Sequence, residues 1–110
     1  MRKVVTLVLV SLLTACATPK NPVHERQAYW QQVLSSEVPL GSDRAAVLKW
    51  ADGRSIHLAF SPEHHQLQGS VEYVPLHQLF CKGYSITVEL TLAADDTVSN
   101  ESVKTYGNCV

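Results

Sequence analysis

Residues 85–92 constrain the fold more than any other segment of the chain. Apolar side chains occupy every second position and polar side chains occupy the positions between them: Ile86, Val88, Leu90 and Leu92 against Thr87, Glu89 and Thr91. Because successive side chains of a strand point to opposite faces, this pattern predicts a strand with one buried and one solvated face. Such a strand needs a sheet around it and a second layer over its apolar face.

Two segments that precede this strand can supply the second layer as helices. We expect one helix over residues 24–35 and another that begins after Ser42 or Asp43 as N-cap and ends with Gly53 as the C′ residue. The apolar residues of both segments recur at helical spacing: Tyr29, Trp30, Val33 and Leu34 in the first, and Ala46, Val47, Trp50 and Ala51 in the second. We interpret both tryptophans as core residues.

The remaining segments complete a sheet. Residues 56–60 and 71–73 alternate as strands, and residues 97–106 return as a last strand after a turn at 93–96. The predicted fold class is α+β, with two N-terminal helices packed on one face of a three- to four-stranded antiparallel sheet. We expect the other face to be solvated and open to a partner. A small apolar cluster of Leu76, Leu79 and Phe80 is expected to lead into Cys81.

The N-terminal segment has the pattern of a secretory signal. Arg2 and Lys3 are followed by about ten uncharged residues, too few to cross a hydrocarbon core, which needs about 20 apolar residues. The run ends in Leu13-Thr14-Ala15-Cys16, which is similar to a bacterial lipobox. We therefore predict a lipoprotein signal peptide over residues 1–15, cleavage before Cys16, and lipidation of that cysteine, which anchors the chain to a lipid bilayer.

The lipobox also predicts where in the cell the protein is located. Residues 16–23 contain two prolines and are expected to form the lipidated cysteine and a short tether, before a single small domain over residues 24–110. Ala17 rather than aspartate follows the cysteine, which resembles lipoproteins sorted to the outer membrane rather than kept in the inner membrane. We expect a lipid-anchored protein of the outer membrane that faces the periplasm.

The other two cysteines, Cys81 and Cys109, are expected to form a disulfide in this oxidising compartment. A closed loop of about 28 residues would stabilise the fold by about 3.5 kcal/mol. The competing interpretation is a catalytic Cys81 paired with a histidine, but no nucleophile motif surrounds either cysteine.

The charge balance and the motifs limit the function. Without Arg2 and Lys3, seven Lys and Arg face ten Asp and Glu, so the mature chain carries about −3 and lacks the basic face that nucleic acid requires. The sequence has no hydrolase motif and no phosphate-binding loop, so we expect a protein that is not an enzyme and has no cofactor. We predict no metal site, although a weak one that uses His57 or His77 stays open. Tyr73, Tyr84 and Tyr106 are candidates for a recognition surface.

Two parts of the chain carry a resemblance to a known family. Residues 38–47, Val-Pro-Leu-Gly-Ser-Asp-Arg-Ala-Ala-Val, and the hairpin from residues 86–90 to Val98 resemble the SmpA/OmlA-type small outer-membrane lipoproteins. The resemblance implies two helices against an antiparallel sheet and an accessory role in outer-membrane assembly or integrity. The family's Leu-Gly-x-Pro run after the second helix is replaced here by residues 50–54, Trp-Ala-Asp-Gly-Arg.

Two functions follow as hypotheses. The first is a non-enzymatic interaction module of the cell envelope with a protein partner. The alternative is a lipoprotein inhibitor of a cell-wall hydrolase of the lysozyme type, since a small acidic domain with a disulfide suits a basic muramidase.

Overall fold

The computed structural model describes residues 21–78 and 80–109. The elements are helices α1 (Pro22–Glu37) and α2 (Arg44–Gly53), followed by strands β1 (Ala59–Ser61), β2 (Gln66–Pro75), β3 (Cys81–Leu92) and β4 (Val98–Cys109). The four strands form one antiparallel sheet in the order β1-β2-β3-β4, and the helices contact it. The predicted α+β fold is therefore confirmed. The signal peptide, Cys16 and the tether up to residue 20 lie outside the described residues.

Helix α1 begins two residues earlier than predicted. The side chain of Asn21 accepts a hydrogen bond from the Val23 N–H at 2.9 Å, and Pro22 occupies the first helical turn, where its missing N–H costs nothing. Residues 22 and 23, which we assigned to the tether, therefore belong to the helix. The helix ends at Glu37, next to the predicted break before Pro39.

Helix α2 begins as predicted and ends differently. Asp43 is the N-cap, and its carboxylate accepts the Ala46 N–H at 2.7 Å. Gly53 is the last residue of the helix rather than the C′ residue. The left-handed conformation that ends such a helix occurs at Ser55, with φ of 58°, where the Ile56 N–H turns back to the Ala51 carbonyl at 2.8 Å.

The core lies between α1 and the apolar face of β3. Ile86, Val88 and Leu90 are 0% exposed, as expected for a central strand beneath a helix layer. Trp30 is buried in this core, whereas Trp50 is half-buried and packs at its margin.

The strands differ from the predicted ones in length. Of the predicted first strand, residues 56–60, only 59 and 60 pair with a neighbour, in a β1 that extends to Ser61, while β2 begins five residues before the predicted 71–73. Strand β3 extends back to Cys81, and β4 reaches Cys109. The predicted apolar cluster before Cys81 is wrong for Phe80, whose side chain is 65% exposed, while Leu76 is half-buried against the core.

Strand β2 contains a β-bulge at Val71. Ser70 pairs with Thr87, and Glu72 pairs with Ile86, so Val71 is an extra residue in β2. Val71 packs against the core, and Glu72 also turns towards the helices, while Tyr73 opposite Ser85 turns to the other face. The bulge therefore reverses which positions of β2 face the helices.

The predicted disulfide is confirmed. Cys81 and Cys109 are paired across β3 and β4 and form a bridge over a sequence separation of 28 residues. We call this the bridged end of the sheet; the opposite end, which carries the β3–β4 turn at residues 93–97, is the turn end. Neither helix in the described parts of the chain is long and apolar enough to cross a membrane.

Candidate interaction surface

The face of the sheet opposite the helices is polar, as the alternation in β3 predicts. We call it the open face. Its side chains are exposed or half-buried, apart from the buried Glu89. The register places these residues on it: Gln66, Gln68, Ser70 and Tyr73 of β2, Ser85, Thr87, Glu89 and Thr91 of β3, and Asn100, Ser102, Lys104 and Tyr106 of β4.

Glu89 forms the centre of a polar network on the open face. It is 8% exposed, although it lies on the solvated side of the sheet. Its Oε1 lies 3.1 Å from Lys104 Nζ, and its Oε2 accepts a hydrogen bond from the Tyr106 hydroxyl at 3.1 Å. The carboxylate of Glu89 raises the pKa of Lys104. The network holds the Lys104 ammonium and the Tyr106 ring in defined positions on β4.

Two tyrosines flank Ser85 on the open face. Tyr73 and Tyr106 are the cross-strand partners of Ser85 from β2 and β4, and they are 45% and 50% exposed. Tyr84, the third predicted recognition residue, points to the helix side, packs against the core and donates its hydroxyl to Gln78 Oε1 at 2.9 Å. The structure therefore brings together two of the three predicted tyrosines.

A shallow depression lies beside Glu89. It has a volume of about 340 Å³ and is lined by His64, Gln66, Gln68, Glu89 and Lys104. His57 and His77, the candidates for a weak metal site, are exposed and do not line it. Within residues 21–78 and 80–109, no three His, Cys, Asp or Glu side chains cluster closely enough to hold a metal ion.

Two arginine–glutamate–tryptophan groups hold the helices and are not evident from the sequence. Glu72 of β2 accepts the Arg26 guanidinium through both carboxylate oxygens and the Trp30 indole N–H at 2.9 Å. These hydrogen bonds, that of Arg26 first, hold the pKa of Glu72 below its ordinary value. The Glu72 carboxylate therefore connects α1 to the sheet.

The second group joins the two helices. Glu37 at the end of α1 accepts hydrogen bonds from Arg54 and from the Trp50 indole N–H at 2.9 Å. Arg54 and, to a lesser degree, Trp50 lower the pKa of Glu37. This contact explains why Trp50 is only half-buried: its ring lies at the junction between the helices, with its N–H directed to a carboxylate.

Glu101, unlike Glu37 and Glu72, has a buried carboxylate oxygen that accepts no hydrogen bond from the described residues. It pairs with Leu90 on the helix side of β4 and lines a groove of about 190 Å³ with Gln31, Leu34 and Ser35 of α1. Its Oε2 is buried and has no hydrogen-bond partner among the described residues. Burial therefore raises the pKa of Glu101.

We expect Glu101→Gln to stabilise the protein at pH 7 by about 1 kcal/mol, because it removes a buried charge that lacks a partner. A raised pKa in the folded state means that stability is lost as the pH rises through that pKa. The advantage of the variant should therefore disappear below the ordinary pKa of a glutamate. Urea denaturation at pH 4 and pH 7 measures the free energy of unfolding of the variant and of the wild type. A difference between the two proteins that is equal at both pH values would contradict the prediction.

We expect Gly83→Ala to destabilise the protein by about 2 kcal/mol and to displace Tyr73. A Cβ at Gly83 would lie 2.4 Å from the Tyr73 hydroxyl oxygen and 2.7 Å from the Val74 carbonyl oxygen. Gly53→Ala is the matched control, because a Cβ there has nothing within 4 Å. Urea denaturation of both variants is the measurement; equal midpoints would show that the position above Gly83 has room for a methyl group.

No protein-family model, no curated protein and no solved structure matches this chain. The fold and the surface define its class: a small α+β domain whose sheet is covered by helices on one face and presents a polar, tyrosine-bearing surface on the other.

Proposed function

We propose that this chain is an outer-membrane lipoprotein, anchored through Cys16, that acts as a non-enzymatic interaction module and binds an envelope protein through its open face. The observation that carries the proposal is the pair of exposed rings, Tyr73 and Tyr106, on either side of Ser85. Tyrosine is enriched at protein interfaces, because its ring provides contact area and its hydroxyl provides a hydrogen bond at low cost in conformational entropy.

The polar network around Glu89 supports the same surface. Lys104 is paired with Glu89, yet its side chain is 55% exposed, so its ammonium retains donors for a partner. Because Lys104 is paired with Glu89, which is itself held by the Tyr106 hydroxyl, less side-chain entropy of Lys104 is lost on binding. A surface with these polar groups and two aromatic rings suits a partner that is bound and released.

The lipid anchor is supported by the sequence at the N-terminus. The motif Leu13-Thr14-Ala15-Cys16 supplies the acylation site, and α1 begins at Pro22, so the domain follows the anchor after a few residues. The resemblance of residues 38–47 to the SmpA/OmlA-type lipoproteins makes outer-membrane assembly or integrity the process that we propose.

Photo-crosslinking at native expression tests the surface. A crosslinking amino acid at Tyr73 or Tyr106 should yield an adduct with an envelope protein. The matched control is Tyr29, which is 42% exposed on the helix side of the domain. Adducts from Tyr29 alone, or from none of the three positions, would overturn the proposed surface.

The inhibitor of a cell-wall hydrolase is the second candidate. Three carboxylates, of Asp43, Asp95 and Asp96, and one cation, Arg44, line a depression of about 390 Å³ at the turn end together with Leu48. A basic muramidase would be attracted to this acidic surface. The test is inhibition of lysozyme at micromolar protein, with Asp95→Asn and Asp96→Asn expected to weaken it; full lysozyme activity in the presence of the protein would exclude this candidate.

A further inference from the structure

Among the residues that the structure describes, Phe80 is the most exposed large apolar side chain, and it lies at the bridged end. Its ring is 65% exposed, next to Cys81, which is bridged to Cys109. The Gln78 N–H donates to the Cys81 carbonyl at 2.9 Å, which closes a tight turn before β3. An aromatic ring on a turn that is fixed in this way loses little conformational entropy when it is transferred from water to an apolar environment.

The chain enters the domain at the same end. Asn21, Val23 and His24 at the start of α1 line one small concavity together with Leu76 and Tyr84, near the bridge. Five residue steps separate Cys16 from Asn21, and an extended chain of that length spans at most about 18 Å. A lipid on Cys16 would therefore hold the bridged end, and Phe80 with it, close to the bilayer.

The turn end lies far from this entry point. Strand β3 has 12 residues, which correspond to about 36 Å from Cys81 to Leu92. Leu40, with an exposed fraction of 64%, lies at the turn end, because the Gly41 N–H donates to the Val98 carbonyl at 2.8 Å. Two apolar side chains of nearly equal exposure therefore lie at opposite ends of the domain.

The charges favour the same orientation. The exposed Lys82 follows the bridge, and Lys20 precedes the described domain. Asp43, Asp95 and Asp96 line a depression at the turn end together with a single cation, Arg44, so this end carries an excess of negative charge. Because anionic lipid headgroups attract lysine and repel aspartate, the bridged end is the end that an anionic bilayer surface would bind.

We propose that the bridged end rests on the bilayer and that the ring of Phe80 inserts into its interfacial layer. The inference rests on the proposed lipid anchor at Cys16 and adds an orientation to it. An aromatic ring is favourable at this depth, where apolar and hydrated regions meet. The strands then point away from the membrane, and the open face stays accessible from the periplasm.

Fluorescence quenching tests the orientation. Phe80→Trp and the matched control Leu40→Trp are prepared as lipidated protein in vesicles of phosphatidylethanolamine and phosphatidylglycerol, with lipids brominated on their acyl chains as quenchers. After subtraction of the wild-type emission, which comes from Trp30 and Trp50, the indole introduced at position 80 should show a blue-shifted emission and a loss of intensity in brominated vesicles relative to vesicles without bromine. The indole at position 40 should show neither change.

The outcomes separate the orientation from the anchor. Protein that floats with the vesicles and carries lipid on Cys16 by mass spectrometry, but shows no quenching at position 80, would overturn the orientation alone. Equal quenching at positions 80 and 40 would also overturn it. Protein without lipid on Cys16 would overturn the proposed anchor itself.

Discussion

Replacement of Cys81 and Cys109 by serine is expected to lower the free energy of unfolding by about 3.5 kcal/mol. The bridge closes a loop of 28 residues that contains the whole β3–β4 hairpin, so its loss frees the unfolded chain over that length. Small domains are stable by only about 5–15 kcal/mol, so the change is a large part of the total.

Urea denaturation of the double variant and of the wild type, with and without reductant, measures the contribution of the bridge. Reductant should shift the midpoint of the wild type to that of the variant and leave the variant unchanged. A wild-type midpoint that is insensitive to complete reduction would show that pairing of β3 with β4 alone holds the bridged end.

Glu72→Gln is expected to destabilise the protein by about 2 kcal/mol at pH 7. The change weakens three interactions, because the carboxylate accepts two hydrogen bonds from the Arg26 Nε and Nη2 atoms and one from the buried Trp30 indole. The estimate includes a reduction for screening by solvent, since the side chain of Arg26 is 40% exposed.

The pH dependence of this variant has a defined sign. The pKa of Glu72 is lowered in the folded state, so its contribution is present above the ordinary pKa of a glutamate and is lost as the pH falls through the lowered value. The difference between Glu72→Gln and the wild type should therefore close in acid, the reverse of the behaviour expected for Glu101→Gln. Glu63→Gln, on an exposed turn, is the matched control and should match the wild type throughout.

The sequence predicted the parts of the fold that depend on local patterns. The alternation in residues 85–92 placed Ile86 and Glu89 on opposite faces of β3, and the structure confirms it. An N-cap at Ser42 or Asp43 was recognisable, because either side chain can accept the free N–H groups of the first turn, and the structure shows Asp43 in this role. Two cysteines, in a compartment that the N-terminal signal predicts to be oxidising, predicted the bridge.

The sequence could not predict what depends on the pairing of distant segments. Nothing in the local pattern of residues 71–73 indicates a bulge, since Val71 and Tyr73 alternate as in a regular strand. The partner of Glu72 lies 46 residues away in sequence. The unpartnered oxygen of Glu101 is likewise visible only when α1 is placed over β4.

Because of the bulge at Val71, the alternation of side chains between the two faces shifts by one residue within β2. Before it, Gln66, Gln68 and Ser70 contribute to the open face; after it, Tyr73 does. If β2 paired regularly through residues 70–73, without the bulge, Glu72 would point to the open face and Tyr73 to the core, whereas deletion of Val71 would leave both on their present faces. The docking of α1 through Glu72 and the position of Tyr73 on the open face therefore both depend on the accommodation of Val71 as an extra residue, and a slip of β2 into regular pairing would lose both together.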